Sequence, residues 1–211
     1  MQIYKNREAA GQLLALRLSN YANKENTLVL GIPRGGVVVA YQIAKKLNIP
    51  LDIVITRKIG APTQPELALG ALDPRGEVFW DQNLLMELGI KKDQLVDEIE
   101  AQKKEIQRRE TLYRKDRLPL DITGKVVILV DDGIATGATV QAAINYLKYL
   151  KAGRIILAIP VLSKEVLNIL DSNIDEMIIL QLVEYLGAVG SFYEDFHPIS
   201  DEEVIALMAS S

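Results

Sequence analysis

The sequence of 211 residues contains no cysteine and only one histidine, His197. Without cysteine there are no disulfides, thiolate nucleophiles or zinc-thiolate sites, and a single histidine excludes any metal centre that needs two imidazoles. His197 precedes Pro198 and has no companion ligand, so we interpret it as a structural residue. Any chemistry must therefore use carboxylates, arginine, lysine, hydroxyl groups and backbone amides.

Long hydrophobic runs are also missing. No apolar segment approaches the roughly 20 residues that a membrane-spanning helix needs. The N-terminal segment carries charges among its apolar positions and lacks the uninterrupted apolar stretch of a secretory signal. We therefore expect a cytoplasmic protein without a membrane partner. The net charge of −4 argues against a large electrostatic footprint, so we expect no nucleic-acid partner either.

The sequence has the composition of a folded globular protein, with 49% hydrophobic and 25% charged residues. Short apolar runs alternate with amphipathic stretches, which predicts strands and helices wound as β-α units. The predicted strands cover residues 27–32, 51–56, 126–130, 155–160 and 176–180, and the predicted helices between them cover residues 37–47, 139–151 and 164–170. Strands this rich in Val, Ile and Leu are typical of sheets covered on both faces. We predict a doubly wound α/β fold with a five-stranded, mainly parallel sheet.

An insertion over residues 59–117 interrupts the alternation. Residues 67–81 form a predicted β-hairpin with the turn sequence DPRG, and residues 91–117 form a charge-rich helical stretch. An excursion of this length inside a compact fold is typical of a lid.

The helical stretch of the insertion carries many lysines and arginines. Acidic residues are interspersed among them, so we interpret this surface as a solvated face rather than a nucleic-acid site. Leu95, Ile99, Ile106 and Tyr113 lie near heptad spacing. This spacing leaves open an alternative in which the helix packs on a partner subunit.

The two termini also fall outside the alternation. Residues 1–22, with a predicted first helix over residues 7–21, and residues 181–211 are expected to pack together as a small cap, here called the hood. No internal repeat or Gly/Ser linker separates these parts. Residues 1–211 are therefore predicted to form a single domain.

The most informative segment is VVILVDDGIATGATV, residues 126–140. A buried strand ends there in Asp131 and Asp132, at the edge where open α/β sheets bind ligands. Paired carboxylates suit the vicinal hydroxyls of a sugar. The small-residue loop after them offers consecutive backbone N–H groups, two hydroxyls and a helix N-terminus, which together form a nest for phosphate. The segment therefore predicts a sugar-phosphate site.

This segment resembles the phosphoribosyl pyrophosphate motif of the type I phosphoribosyltransferases: a hydrophobic strand, Asp-Asp, two residues, then x-Thr-Gly-x-Thr. The resemblance implies that Asp131 and Asp132 hold the 2- and 3-hydroxyls of the ribose. The residues that it implies for the 5-phosphate lie in one loop, here called the phosphate loop: Gly133, Ala135, Thr136, Gly137, Ala138 and Thr139.

Two positions of the phosphate loop depart from the family pattern. Ala135 stands where some purine-using members carry an acid that acts near the base, so proton transfer from that position is unavailable. Gly133 stands where a branched apolar residue is common, and we expect extra backbone freedom there. Both departures bear on the identity of the base and leave ribose-phosphate binding intact.

A second element, GIPRGG at residues 31–36, follows the first predicted strand. Paired glycines allow a backbone to approach a ligand closely, and the forked guanidinium of Arg34 suits phosphate. The element resembles the family's pyrophosphate loop, which implies pyrophosphate binding by Arg34, Gly35 and Gly36 and a cis peptide bond on one side of Arg34. An ordinary glycine-rich turn is the alternative. It is not a Walker A loop, because no Gly-Lys-Ser/Thr follows the glycines.

A third element, Arg57-Lys58, follows the second predicted strand at the same edge of the sheet. Two cations there would neutralise a departing pyrophosphate. In the family a basic residue at this place serves that purpose, which makes Arg57 a candidate catalytic residue beside Asp131 and Asp132. A solvated Arg-Lys pair is the alternative.

The C-terminal tail contains the aromatic pair Phe192 and Tyr193. Family members often build their base pocket from a hood segment near one terminus. Both rings are therefore candidates for stacking on a planar base, and Asp195 is a candidate acceptor of hydrogen bonds from it. Simple packing of the two rings is the alternative.

The combination of PRGG, TRKIGAP, DDGIATGAT and SFYEDF resembles a bacterial subgroup of predicted phosphoribosyltransferases with an unassigned acceptor. It implies transfer of ribose 5-phosphate between phosphoribosyl pyrophosphate and a nitrogen base, through an oxocarbenium-like transition state. The implied cofactor is Mg²⁺, bound mostly through ligand oxygens and water and only indirectly by Asp131 and Asp132. A homodimer is a further expectation from the family.

Two other functions are compared with this one. A non-catalytic sensor would keep the phosphoribosyl site and use it to switch a partner, but it has less need of cations for a leaving group. A receiver or phosphatase fits poorly, because the acids follow the third core strand and no Asp-x-Asp sequence is present.

Overall fold

The computed structural model describes residues 3–115, 117–170 and 174–210. The main sheet has five strands: β1 (Thr27–Gly31), β2 (Leu51–Ile53), β6 (Val126–Val130), β7 (Arg154–Ser163) and β8 (Glu176–Val183). All are parallel, in the order β2-β1-β6-β7-β8. The predicted fold class is therefore confirmed. Strand β2 is shorter than its apolar run, whereas β7 and β8 extend past theirs.

Helices cover both faces of this sheet. They are α1 (Arg7–Arg17), α2 (Gly35–Leu47), α5 (Ala138–Tyr149) and α6 (Lys164–Leu170). The bounds of α6 are those predicted, and Ser163 before it accepts a hydrogen bond from the backbone of Val166 at 3.3 Å. No helix in the described ranges is long and apolar enough to cross a membrane.

The core lies on both sides of the main sheet because successive side chains of a strand point to opposite faces. Val29, Ile128 and Ile156 belong to the apolar cluster that includes α1 and α2. Leu28 and Val127 belong to a second cluster, which includes α5 and α6. Burial on both faces explains why these strands read as continuous apolar runs.

The insertion forms a small sheet and two helices. Its antiparallel strands are β3 (Arg57–Ala61), β4 (Gln64–Leu72) and β5 (Val78–Trp80), followed by α3 (Gln82–Leu88) and α4 (Val96–Arg114). The hairpin of β4 and β5 was predicted, but β3 and α3 were not. Asp81 caps α3 by accepting from the backbone of Leu84 at 2.9 Å, and Gly89 ends it in the left-handed conformation. Both capping signals are present in the sequence, but α3 is so short that its residues show little helical periodicity.

Most of the insertion is anchored in the core. Leu95, Ile106 and Tyr113 are buried in the same apolar cluster as α2, and Ile99 packs against that cluster. The heptad-like spacing is thus accounted for by packing within the chain, rather than by a partner subunit. The tip of the β3–β4 hairpin, residues 62–65, is exposed.

The two termini meet beside the sheet. The backbone of Tyr4 donates to Phe192 at 2.8 Å and accepts from Glu194 at 2.8 Å. The tail ends in α7 (Asp201–Ala209), a helix that we did not predict, although Ser200 and Glu203 form a capping box at its start.

A buried ion pair fastens the insertion to the main sheet. Arg114, at the end of α4, pairs with Asp52 of β2, and the side chains are only 11% and 6% exposed. Arg114 also donates to the carbonyl of Ile53 at 2.8 Å, and Asp52 accepts from the backbone of Leu120 at 2.9 Å.

Replacing Asp52→Ala is expected to lower the free energy of unfolding by about 3 kcal/mol. It removes one of the two carboxylates that pair with the buried Arg114, leaving Glu110, and it takes the acceptor from the Leu120 backbone N–H. The control is Arg154→Ala, which breaks a pair with Glu176 whose side chains are 47% and 32% exposed. This control should lower the free energy of unfolding by less than about 1 kcal/mol. Urea unfolding measures both, and equal losses would contradict the structural role given to Asp52.

Candidate active site

The site lies where β1 and β6 end side by side. Gly31 is in register with Val130, and the backbone of Ile32 donates to the Val130 carbonyl at 2.9 Å. This pairing brings the pyrophosphate loop against Asp131 and Asp132, two elements that are about a hundred residues apart in the sequence. Parallel strand order thus places the two predicted ligand loops at one edge.

The pyrophosphate loop touches the acidic pair with no room for a side chain between them. A Cβ built on Gly35 would lie 1.9 Å from Oδ2 of Asp132, and one on Gly36 would lie 2.9 Å from Cα of Asp131. Only glycine allows this approach at either position. The peptide bond between Pro33 and Arg34 is cis, at one of the two places that the resemblance implied.

Asp131 and Asp132 are held by a set of short hydrogen bonds. Oδ1 of Asp131 accepts from the backbone N–H of Asp132 at 2.8 Å. Oδ2 of Asp132 accepts from Nε of Arg7 at 2.7 Å, and the carbonyl of Asp132 accepts from the hydroxyl of Tyr193 at 2.5 Å. The pair is therefore oriented before any ligand binds.

The electrostatics of the two acids differ. Burial, together with the neighbouring charge of Asp132, raises the pKa of Asp131 well above its usual range. Burial also raises the pKa of Asp132, and the Arg7 guanidinium opposes that shift. Two adjacent, partly buried carboxylates favour a ligand that brings hydrogen-bond donors or positive charge.

Arg7 is the site residue that sequence reasoning missed. It is 7% exposed, its guanidinium carbon lies 3.7 Å from the ring centre of Phe196, and it donates to the carbonyl of His197 at 2.9 Å. A cation in the first turn of a helix opposes the helix dipole. That local conflict was the available signal that Arg7 has a specific anionic partner.

The phosphate loop runs from β6 to the start of α5. The backbone of Ile134 donates to Val161 at 3.1 Å, Thr136 is exposed, and Gly137 has a φ of +81° just before the helix begins. Gly133 has a packing role as well, because a Cβ there would lie 2.5 Å from Cγ1 of Val189 in the hood. The space beside Gly133, where we expected extra backbone freedom, is therefore filled by the side chain of Val189.

Of the predicted cations, Arg34 lies in the pyrophosphate loop itself, and Arg57 and Lys58 begin β3. Nη1 of Arg34 lies 3.8 Å from Oδ1 of Asp201, and Nε of Arg57 donates to Oε1 of Gln102 at 2.7 Å. Burial, followed by the charge of Arg109, lowers the pKa of Arg57. Lys58 comes next in β3 and is half-buried.

Arg109 is a second cation that sequence reasoning did not single out. It is 8% exposed, and its Nε donates to Glu105 at 2.7 Å. Its charge acts on both Arg57 and Asp201. The insertion thus places a paired arginine close enough to Arg57 to influence its pKa, together with the opposing charges of Glu105 and Glu98.

The aromatic pair proposed for the base pocket is buried in the hood. Phe192 is 4% and Tyr193 is 6% exposed, and the Tyr193 ring is stacked on Phe196 at 5.0 Å. Tyr193 reaches Asp132 through its hydroxyl, so the structure brings it to the acidic pair. Asp195 faces solvent and accepts from Nδ1 of His197 at 3.0 Å, a contact that raises the pKa of His197.

Comparison with known proteins gives consistent matches. Residues 1–179 match the model of the phosphoribosyl transferase domain. The chain is 37% identical over 210 residues to a Mycobacterium tuberculosis protein named "Putative phosphoribosyl transferase", a match covering 99% of this chain and 47% of that one. The chain thus spans about half the length of the curated relatives it matches.

Solved structures give the same picture. The crystal structure of the protein TT1426 from Thermus thermophilus superposes with a TM-score of 0.81 at 37% identity, covering 100% of this chain and 99% of that one. A purine phosphoribosyltransferase from Pyrococcus horikoshii shares the fold, with a TM-score of 0.51 at 18% identity and coverage of 94% and 98%.

Replacing Gly35→Ala is expected to lower the free energy of unfolding by about 1–3 kcal/mol, because its Cβ would displace Asp132 and Arg7. The matched control is Gly187→Ala, whose Cβ would come no nearer than 3.4 Å to the Tyr185 side chain. Urea unfolding of both variants tests the contact. A Gly35→Ala variant as stable as Gly187→Ala would show that the loops are not in contact.

Proposed function

The chain belongs to the phosphoribosyl transferase family, and we propose that it moves ribose 5-phosphate between phosphoribosyl pyrophosphate and a nitrogen base. The observation that carries the proposal is the contact of the pyrophosphate loop with Asp131 and Asp132, directly ahead of the phosphate loop. One ligand with a phosphate, a diol and a pyrophosphate in that order would span all three elements.

We assign the ribose to the acidic pair. The 2- and 3-hydroxyls of a ribose are adjacent donors, and Asp131 and Asp132 are adjacent, partly buried acceptors. Because burial raises the pKa of both acids, hydroxyl donors that pair with their oxygens stabilise the charged form. Arg7 supplies part of that compensation from the protein side.

We assign the 5-phosphate to the phosphate loop. Its backbone leads into α5, whose N-terminus favours an anion, and Thr136 and Thr139 add hydroxyl donors. Gly137, in the left-handed conformation, allows the chain to turn from loop to helix at this point.

We assign the pyrophosphate to Arg34, Gly35, Gly36, Arg57 and Lys58. In the reaction the bond from C1 of the ribose to the pyrophosphate oxygen breaks as the ring gains oxocarbenium character. Negative charge then grows on the leaving group, and fixed cations that meet it lower the barrier. Arg109, which is paired with Glu105, also acts on Arg57 through its charge.

Mg²⁺ fits this site only as a companion of the substrate. No group of three or more His, Asp or Glu side chains in the described ranges is arranged to hold a metal. Asp131 and Asp132 would therefore face the ion through ribose hydroxyls and water. When bound, the ion would supply charge neutralisation on the pyrophosphate.

We assign closure of the site to the insertion and binding of the acceptor base to the hood. Water would capture a reactive C1 centre, so the chemistry calls for a closed site. The tip of the β3–β4 hairpin, residues 62–65, is an exposed part of the insertion and is the part proposed to close over the site. The hood, with Phe192 and Tyr193 packed in it, is the proposed wall of the base pocket.

The chain is also proposed to act as a homodimer.

The proposal is tested by measuring pyrophosphate release from phosphoribosyl pyrophosphate with Mg²⁺ across a panel of purine and pyrimidine bases. Release with one base would support the transferase and name its acceptor. Tight binding of phosphoribosyl pyrophosphate without release for any base would favour the non-catalytic sensor instead.

The double variant Asp131→Asn with Asp132→Asn is expected to lose phosphoribosyl pyrophosphate binding while remaining folded, because amides cannot replace the paired charges but keep the side-chain shape. Calorimetry measures affinity, and a thermal melt checks the fold. Asp93→Asn with Asp97→Asn, at exposed positions, is the matched control. If the variant with both Asp131 and Asp132 replaced binds phosphoribosyl pyrophosphate with unchanged affinity, the assignment of the ribose to this pair is wrong.

Arg57→Ala is expected to reduce kcat by about 10²-fold and to change affinity for phosphoribosyl pyrophosphate far less, since the charge it meets grows in the transition state. Steady-state kinetics separate the two effects. Lys46→Ala, at an exposed position of α2, should leave both constants unchanged. An effect of Arg57→Ala on KM alone would assign Arg57 to binding rather than catalysis.

A further inference from the structure

Arg7 connects the N-terminal helix to the acidic pair across the fold. Its Nε–Oδ2 contact with Asp132 is 2.7 Å long, and the two side chains are 8% and 15% exposed. The same guanidinium donates to the carbonyl of His197 and lies over the ring of Phe196. Three groups therefore fix its position.

Holding a cation in this place has an energetic cost. Arg7 is the first residue of α1, where the helix dipole disfavours positive charge, and it is removed from water. The structure compensates it with a direct ion pair to Asp132, and the charges of Asp131 and Asp195 also act on it. The ion pair holds Asp132 at the edge of the sheet where the ligand is proposed to bind. It therefore fixes the orientation of that carboxylate, in addition to stabilising the fold.

The backbone of Gly35 limits the movement of the Asp132 side chain on a second side. A Cβ on Gly35 would lie 2.8 Å from Nε of Arg7 as well as 1.9 Å from Oδ2 of Asp132. The ion pair is thus pressed against the backbone of the pyrophosphate loop. Arg7 and this backbone together hold the carboxylate in one orientation.

We infer that Arg7 is a positioning residue for ribose recognition: it acts through Asp132, which it holds in the orientation that accepts a ribose hydroxyl. The inference rests on the proposed function. Arg7 meets the pyrophosphate loop at the backbone of Gly35, whereas the side-chain cations assigned to pyrophosphate are held by other partners. Arg34 lies beside Asp201, and Arg57 donates to Gln102. Loss of Arg7 should therefore weaken ligands that contain ribose and spare pyrophosphate itself.

The experiment is a set of calorimetric titrations, with Mg²⁺, of wild type, Arg7→Met, Arg7→Lys and Arg17→Met. Phosphoribosyl pyrophosphate and inorganic pyrophosphate are the two probes. Arg17 lies on the same helix, is exposed and serves as the matched control. A thermal melt of each variant accompanies the titrations.

Arg7→Met is expected to raise the Kd for phosphoribosyl pyrophosphate by about tenfold or more and the Kd for pyrophosphate by less than about twofold. Arg7→Lys keeps the charge but lacks the fork that reaches both Asp132 and His197, so it should give an intermediate loss. Arg17→Met should match wild type. If Arg7→Met does not fold, the Arg7→Lys comparison decides the question.

Equal losses for both probes would show a structural role only, and an unchanged Kd for phosphoribosyl pyrophosphate would remove any role for Arg7 in binding. A wild type that binds phosphoribosyl pyrophosphate but not pyrophosphate overturns the division of the site on which the inference depends. A wild type that binds neither overturns the proposed function together with this inference.

Discussion

The structure of the site depends on one close approach, that of the Gly35-Gly36 backbone to Asp131 and Asp132. Parallel pairing of β1 with β6 sets the two strand ends side by side, and the absence of a side chain at Gly35 lets the loops touch. This contact sets the acidic pair directly against the loop that carries Arg34. The proposed sugar site and the proposed pyrophosphate site thus become neighbours through backbone geometry alone.

Burying two carboxylates at that contact has a cost, and the ends of the chain offset part of it. Arg7 from the first helix and Tyr193 from the tail both reach Asp132, and Phe196 covers the guanidinium of Arg7. The hood therefore stabilises the charged edge as well as covering it. This arrangement makes ligand binding, hood packing and the ionisation of the two acids interdependent, because each changes the surroundings of Asp132.

The sequence predicts the central parts of this fold well, because buried parallel strands are short apolar runs and the two ligand loops are contiguous motifs. It fails where structure depends on distant contacts. Strand β3 is visible only through its pairing with β4, and the Arg7–Asp132 pair joins residues 125 positions apart. The burial of Phe192 and Tyr193 likewise arises from packing against the N-terminal segment, which local aromatic content cannot reveal. The insertion reads as a lid by length, yet Ile106 and Tyr113 anchor it in the core.

The central claim is that the contact between the two loops forms one site for phosphoribosyl pyrophosphate. Calorimetric titration of the wild-type chain with that ligand, with and without Mg²⁺, tests it most directly. The account predicts saturable binding with one ligand per chain that strengthens when Mg²⁺ is present. The absence of binding under both conditions would contradict it.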